Sequence, residues 1–361
     1  MKKRGKPMAE LRDQVFAAMR GVNDPDLKRD IVTLNMVKNV AVADGTATID
    51  LELTTPACPL REHLEAQIIA AAKAVPGIRE AKVNFTSNVS HRAVAPEDLL
   101  PGVRNIIAVA SGKGGVGKST VSVNLALSLA KMGARVGLLD ADIYGPNIPL
   151  MMGSTEMPHV TPERKMVPNK AHGIDVISMG FLLGEDEPVV WRGPMLNSAL
   201  RQLMADVQWG ELDYLLVDLP PGTGDVHISL CQMVPVTGAV IVTTPQAVAL
   251  QDVRKGMAMF RLLKTPILGL IENMSYFICP HGSRVEIFAH GGGQRAAEQA
   301  GVPFLGEIAL DTRIRVGGDE GRPIVAMDPN GEVSRMFAHA AQTLAAQVSL
   351  VNLGQVKQEE K

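Results

Sequence analysis

The chain has 361 residues, room for two or three domains, and is 46% hydrophobic and 20% charged, the balance of a globular protein. A net charge of -2 gives no global pull toward nucleic acid or an anionic membrane, and no apolar run approaches the roughly 18 residues of a membrane span. Three cysteines are too few for a disulfide framework, and the basic start (Lys2, Lys3, Arg4, Lys6) leads into no apolar signal segment, so the reducing cytoplasm is the expected setting.

Residues 8–95 read as a small α+β domain. Leu11, Val15 and Met19 recur every four residues, the stripe of an amphipathic helix. Thr46–Thr54 alternates Ala47, Ile49, Leu51 and Leu53 with polar residues, a half-buried strand. Asp44-Gly45 predicts a hairpin turn from a partner strand over Met36–Val42. Leu60, Leu64, Ile68 and Val75 predict a second helix ended by Pro76-Gly77, and Ile78–Phe85 a third strand. The order α-β-β-α-β places both helices on one face of a sheet. Asn23–Leu27 and Thr54–Leu60 resemble the small domain found alone in some iron-sulfur assembly factors. The resemblance puts Cys58 at a helix start, where the dipole favours a thiolate. Cys58 is then either a cluster ligand or a small buried hydrophobe. Residues 96–101, with Pro96 and Pro101, read as a linker.

Residues 102–350 read as a second domain, an α/β unit with a mostly parallel sheet. The apolar run Asn105–Ala110 leads into Ser111-Gly112-Lys113-Gly114-Gly115-Val116-Gly117-Lys118-Ser119-Thr120, and an amphipathic run follows over Val121–Met132. This strand, Gly-rich loop and helix fit the phosphate-binding pattern G-x-x-x-x-G-K-[ST]: backbone N–H groups and a helix N-terminus converge on an anion. Lys118 is expected on the β/γ-phosphates of ATP and the Ser119 hydroxyl on Mg²⁺. The extra lysine, Lys113, makes the string resemble the deviant phosphate loop of the ParA, MinD and nitrogenase iron protein class. That resemblance implies a homodimer in which Lys113 reaches the partner's nucleotide.

Arg135–Leu139 is an apolar strand running into Asp140-Ala141-Asp142, and Leu215–Val217 another running into Asp218 and Pro220-Pro221-Gly222-Thr223-Gly224. Acids at the C-terminal edge of open α/β strands sit where such sheets bind ligands. Both strings resemble the switches of the same class. Position-matching makes Asp142 the residue serving the attacking water, with Asp140 and Asp218 around Mg²⁺, directly or in support. Further strands are expected at Gly238–Thr243 and Pro266–Ile271, with a helix near Val248–Leu263 between them. Asn273 follows the last strand, where the class contacts adenine; Asp311 and Arg313 are further base-pocket candidates. Seven methionines between Met151 and Met204 read as core filling rather than an adaptable surface.

Asn273–Gly282 and Ile287–Gly293, taken with the N-terminal domain and both switches, resemble the Mrp/ApbC family of ATP-dependent iron-sulfur cluster carriers. The family implies a homodimer holding a [4Fe-4S] cluster between subunits and delivering it to apoproteins, accompanied by slow ATP hydrolysis. Its usual motif is Cys-Pro-x-Cys; this chain has Cys279 but Gly282 at the second position. Two copies of Cys279 supply two thiolates where such a centre takes four. Three accounts stand open. Cys58 completes the set; or His281, His290, a small thiol or the recipient supplies the missing bonds; or the chain is an ATP-driven switch or adaptor without a stable cluster. The polar tail 351–361 lacks the apolar face of a membrane-binding helix, so neither membrane nor nucleic acid is an expected partner.

Overall fold

The computed structural model describes residues 8–24, 29–56, 61–89, 99–182, 193–279 and 281–359. The expectations for Cys58 and for residues 96–98 of the linker fall outside them. The chain divides into two compact units, Met1–Ser90 and His91–Lys361.

In the first unit, α1 (Met8–Ala18) precedes a two-residue antiparallel pair, β1 (Asn23–Asp24) and β2 (Arg29–Asp30). Then come β3 (Val37–Ala43), β4 (Thr46–Leu53), α2 (Arg61–Lys73) and β5 (Glu80–Ser87). The β3–β4 hairpin turns on Asp44 and Gly45, both at positive φ (49° and 78°), the geometry that suits the right-handed twist of the strands. Strand β5 then pairs parallel with β4. Alternation along β4 sends Ala47, Ile49, Leu51 and Leu53 inward onto Val15 of α1 and Leu64 and Ile68 of α2. Each fully buried Leu or Ile contributes roughly 1.5–3 kcal/mol, so this layer has a core of its own.

The second unit is built on one eight-stranded sheet. Its elements in chain order begin with β6 (Ile106–Ser111), α3 (Lys118–Lys131), β7 (Val136–Asp140), α4 (Ile148–Met151), β8 (Asn169–Ala171) and β9 (Ile174–Ser178). Next are α5 (Gly193–Ala205), β10 (Tyr214–Asp218), α6 (Asp225–Met233), β11 (Gly238–Thr243), α7 (Ala247–Leu262) and β12 (Ile267–Glu272). A hairpin of β13 (Phe277–Ile278) and β14 (Arg284–Val285) stands outside the main sheet. The chain closes with α8 (Gly292–Ala300), β15 (Phe304–Glu307), α9 (Thr312–Asp319), α10 (Ile324–Met327) and α11 (Glu332–Glu359).

The sheet order is β15-β12-β11-β6-β10-β7-β9-β8, parallel throughout except for the edge pair β8–β9. Strands β6, β7, β10 and β11 are buried at every position, which is why they read as unbroken apolar runs. The first acid-ended strand, the second and the phosphate-loop strand are neighbours: Asp218 pairs with Asp140 on one side and Val109 on the other. Sheet order thus brings together three motifs far apart in sequence.

Helix α11 continues through the polar tail to Glu359, and Phe337, Ala341, Leu344 and Val348 bury one face of its earlier turns. Of the methionines read as core, Met152, Met166, Met179 and Met204 are buried, whereas Met157 and Met195 are exposed. Among the described residues, no helix is long and apolar enough to cross a membrane.

Candidate nucleotide site and cysteine hairpin

The loop between β6 and α3 closes on glycine where nothing else fits. Gly117 caps α3 at φ +79°, and an added Cβ would run into the side-chain amide of Asn273. That amide donates to the Val116 carbonyl at 2.8 Å, fixing Asn273 against the loop. Gly112 lies against the backbone of Asp252 and Val253 in the second turn of α7. A cavity of about 480 Å³ opens over the loop, lined by residues 113–120, Asp142, Asn273 and Asp311.

Gly112, Asp140 and Asp218 do not line it. Asp218 is fully buried beneath the loop and accepts from Lys118 Nζ (2.8 Å), Ser119 Oγ (2.7 Å) and Ser122 Oγ (2.6 Å). It therefore holds both residues that the motif assigns to phosphate and metal. Lys118 Nζ also lies 3.9 Å from Asp142 Oδ2. Asp142 itself accepts from the backbone N–H groups of Tyr144 and Gly145 at 3.2 and 3.3 Å. Burial raises its carboxyl above the usual range, opposed by Lys118.

Asp140, expected around Mg²⁺ directly or in support, lies beside Asp218 in the sheet and is fully engaged within the protein. One oxygen accepts from Asp142 N–H (3.1 Å); the other accepts from Ile148 N–H (3.2 Å) and Ser178 Oγ (2.9 Å). Its carboxyl shapes the first switch from inside, joining it to β9 and α4. Burial, reinforced by Asp218, pushes its pKa up to about 8. A carboxyl with a raised folded pKa binds a proton that the unfolded chain releases, so stability falls as pH rises toward the folded value. His227, held down to about 4 by burial, gives the opposite slope but only below its ordinary value of 6.5. Between pH 6.5 and about 8 the nucleotide-free protein is expected to lose stability, and Asp140→Asn to flatten that slope. Urea unfolding across this window checks it; an equal slope in both proteins refutes the assignment.

Lys113 is half-buried at the cavity, with no ion-pair partner among the described residues. Asp311 lines the cavity and caps α9 by accepting from Arg313 N–H at 2.8 Å. Arg313, expected beside the base, instead lines a neighbouring groove with Tyr276 and reaches Asp328 at 3.3 Å. Sequence reading missed the walls given by Leu150 and Met151 of α4 and by Ile314 and Arg315 of α9. No local motif marks them; only the tertiary fold brings them over the loop.

Cys279 sits in the turn between β13 and β14, where its N–H donates to Ser283 and its carbonyl accepts from Gly282 (2.9 and 2.8 Å). Backbone N–H groups of His281 and Ser283 hold its thiol below the usual range, favouring thiolate. Cys231 has the opposite setting, its thiol raised by burial. The hairpin is tied to the sheet edge through Arg284, which stacks on Tyr276 at 3.7 Å and lies 3.7 Å from Glu307. His290, a candidate ligand, is engaged elsewhere: Nε2 lies 2.6 Å from Glu307 Oε2. Ser275 bridges Glu307 to Glu272, which receives Gly291 and Gly293 N–H groups from the start of α8. This network was not legible in the sequence, since its members come from three separate segments, 272–275, 290–293 and 307. His281 is exposed.

A Gly-rich loop between a buried strand and a helix, with its lysine and serine held by an acid-ended neighbouring strand, defines a P-loop NTPase. The match to known proteins is specific: the NUBPL iron-transfer P-loop NTPase family over residues 102–345, and the iron-sulfur cluster assembly protein family over residues 12–85. The chain belongs to the NUBPL iron-transfer P-loop NTPase family. It is 47% identical over 348 residues to the iron-sulfur cluster carrier protein of Synechocystis, covering 94% of this chain and 99% of that one. Against the Escherichia coli K12 iron-sulfur cluster carrier protein, identity is 41% over 341 residues, 94% and 92% of the two chains. A nucleotide-binding protein from Archaeoglobus fulgidus, solved with ADP, superposes with a TM-score of 0.59 at 39% identity, covering 68% of this chain and 98% of that one.

Proposed function

We propose that this chain is a homodimeric carrier that binds ATP, hydrolyses it slowly, and delivers iron-sulfur clusters to apoproteins, working in a reducing compartment such as the cytoplasm. One observation carries the reading: the Cys279 hairpin is laddered to the wall of the nucleotide cavity. Ser275 N–H donates to Ile308 and Leu310 N–H to Tyr276 (2.9 and 2.7 Å), while Ala309, Leu310 and Asp311 line that cavity. The nucleotide and the thiolate therefore share one stretch of backbone. Relatives named as iron-sulfur cluster carriers support the same reading.

In this reading Lys118 binds the phosphates, and Ser119, backed by Asp218, holds Mg²⁺. Their oxygens already lie together, a donor set suited to a hard cation. Asp142, at the cavity, orients the attacking water, while Lys113, unpaired, reaches the nucleotide of the partner subunit. Phosphoryl transfer needs mainly positioning and charge neutralisation, so no further nucleophile is required. Asn273 and Asp311 face the base. The cluster is cargo, held by Cys279 of both protomers. With Gly282 in the second position, the remaining bonds come from Cys58, from His281 or from the recipient. His290 is the poorer candidate because Glu307 engages it. The test is transfer: protein reconstituted anaerobically is mixed with an apo acceptor of a [4Fe-4S] cluster, with and without ATP. Acceptor absorbance is expected to appear at the carrier's expense. A wild-type protein that retains no iron overturns cargo binding and leaves an ATP-driven adaptor.

A further inference from the structure

Helix α6 begins directly behind the second switch, with Gly224 as its N-cap. His227, in its first turn, is fully buried and faces Phe260 of α7, ring centroids 6.2 Å apart. Neither ring nitrogen has a hydrogen-bond partner; among the described residues no other side chain has two buried polar atoms left orphaned. Burial keeps the ring neutral near pH 7, Lys118 acting in the same direction and the Gly224 carbonyl against it. A neutral imidazole carries one N–H and one lone pair. An apolar side chain would fill this space without the desolvation penalty of leaving both unpaired. A buried polar group without a partner therefore points to another state of the chain.

The adjoining loop supplies that state. Pro221 lines the nucleotide cavity, and Gly222, at φ +93°, donates its N–H to Ser111 at the end of β6 (2.9 Å). The Gly224 carbonyl accepts the backbone N–H of His227 at 3.2 Å and lies near enough to the ring to favour its protonated form, without completing a hydrogen bond to either ring nitrogen. A modest shift of this loop brings a carbonyl to the imidazole N–H. Ordering of a switch loop by the γ-phosphate is a general route from nucleotide state to conformation.

We propose that His227 is a positioning residue for hydrolysis: its ring N–H, unpaired here, bonds a carbonyl of loop 220–224 when the γ-phosphate of bound ATP draws that loop inward, and holds the loop in its hydrolysing arrangement. The inference rests on the ATPase reading above. His227 touches no reacting atom; it acts through the loop.

The full-length chain is compared as wild type, His227→Leu and His227→Gln. Three quantities are read: steady-state ATP turnover, the urea midpoint without nucleotide, and hydrogen exchange of residues 220–226 with ADP or a non-hydrolysable ATP analogue. In His227→Leu, kcat is expected to fall about tenfold or more with KM within about twofold, the signature of an interaction made after binding. Its urea midpoint stays at or above that of wild type, and analogue-induced protection of the loop is lost. Glutamine, which also presents an N–H, restores kcat to within about threefold of wild type. Wild-type turnover in His227→Leu overturns the proposal. So does a fall that glutamine does not rescue, or one matched by lost stability. A wild type that hydrolyses no ATP overturns the ATPase reading instead, and loop protection by the analogue in wild type against His227→Leu still decides the role of His227.

Discussion

Lys118→Ala is expected to abolish nucleotide binding and at the same time to weaken the empty protein. The first effect follows from position: Lys118 lines the cavity at the start of α3, the one cation buried inside the loop. The second follows from what it does before nucleotide arrives. Its ammonium lies 2.8 Å from Asp218 and 3.9 Å from Asp142, with Asp140 paired beside Asp218 in the sheet. Removing one partner of a buried ion pair leaves an uncompensated charge, a loss of about 3–5 kcal/mol. The Ser119 and Ser122 hydroxyls still donate to Asp218, which places the expected loss at about 3 kcal/mol, the lower end of that range. Calorimetric ATP binding, with urea unfolding at pH 7, measures both effects. Unchanged hydrolysis would remove the site assignment, and unchanged stability would remove the buried pair.

The parts of this site that were legible in the sequence are those written in contiguous residues. Residues 112–120 announce themselves because a phosphate loop needs glycine and lysine at fixed spacing on one strand–helix joint. Asp218 was found because it ends an unbroken apolar run, and Asp142 because it follows two residues after the end of another, which is how strands buried on both faces must read. Asp140 ends such a run too, yet local sequence cannot tell whether a carboxylate points at the ligand or back into the protein. The hydrogen bonds from Ile148 and Ser178 decide that, and they come from elements eight and 38 positions away. The Glu272–Ser275–Glu307–His290 network and the wall given by α9 were invisible for the same reason. His227 is the extreme case, since a histidine without partners is defined only by what surrounds it. In the first unit, the hairpin at Asp44-Gly45 and the strand alternation were fully readable, because turn chemistry and a period of two are local properties.

Gly282→Cys is expected to turn a weakly held cluster into a firmly held one, and the geometry argues for it. The hairpin turn already offers Cys279 a thiolate-favouring setting through the His281 and Ser283 N–H groups. Three residues on, Gly282 is exposed, and no atom lies within 4 Å of where its Cβ would stand. Its N–H bond to the Cys279 carbonyl survives substitution, because that bond uses backbone alone. The opposing term is conformational: φ is +80°, and a side chain in the left-handed region costs about 1–2 kcal/mol. One pair of thiolates per chain gives four per dimer, the full set for a [4Fe-4S] centre, and four iron–thiolate bonds outweigh strain of that size. Iron and sulfide per dimer after anaerobic reconstitution, followed by the rate of loss to a chelator, measure the outcome. Wild type is expected to load iron that a chelator removes quickly, Gly282→Cys to approach about four irons that it removes slowly, and Cys279→Ala to load none. Four firmly held irons in wild type, lost in Cys58→Ala, would instead show that the N-terminal cysteine has taken the place of the thiolate missing at Gly282. No gain in Gly282→Cys, with iron retained in Cys279→Ala, would mean that the hairpin does not hold the cluster.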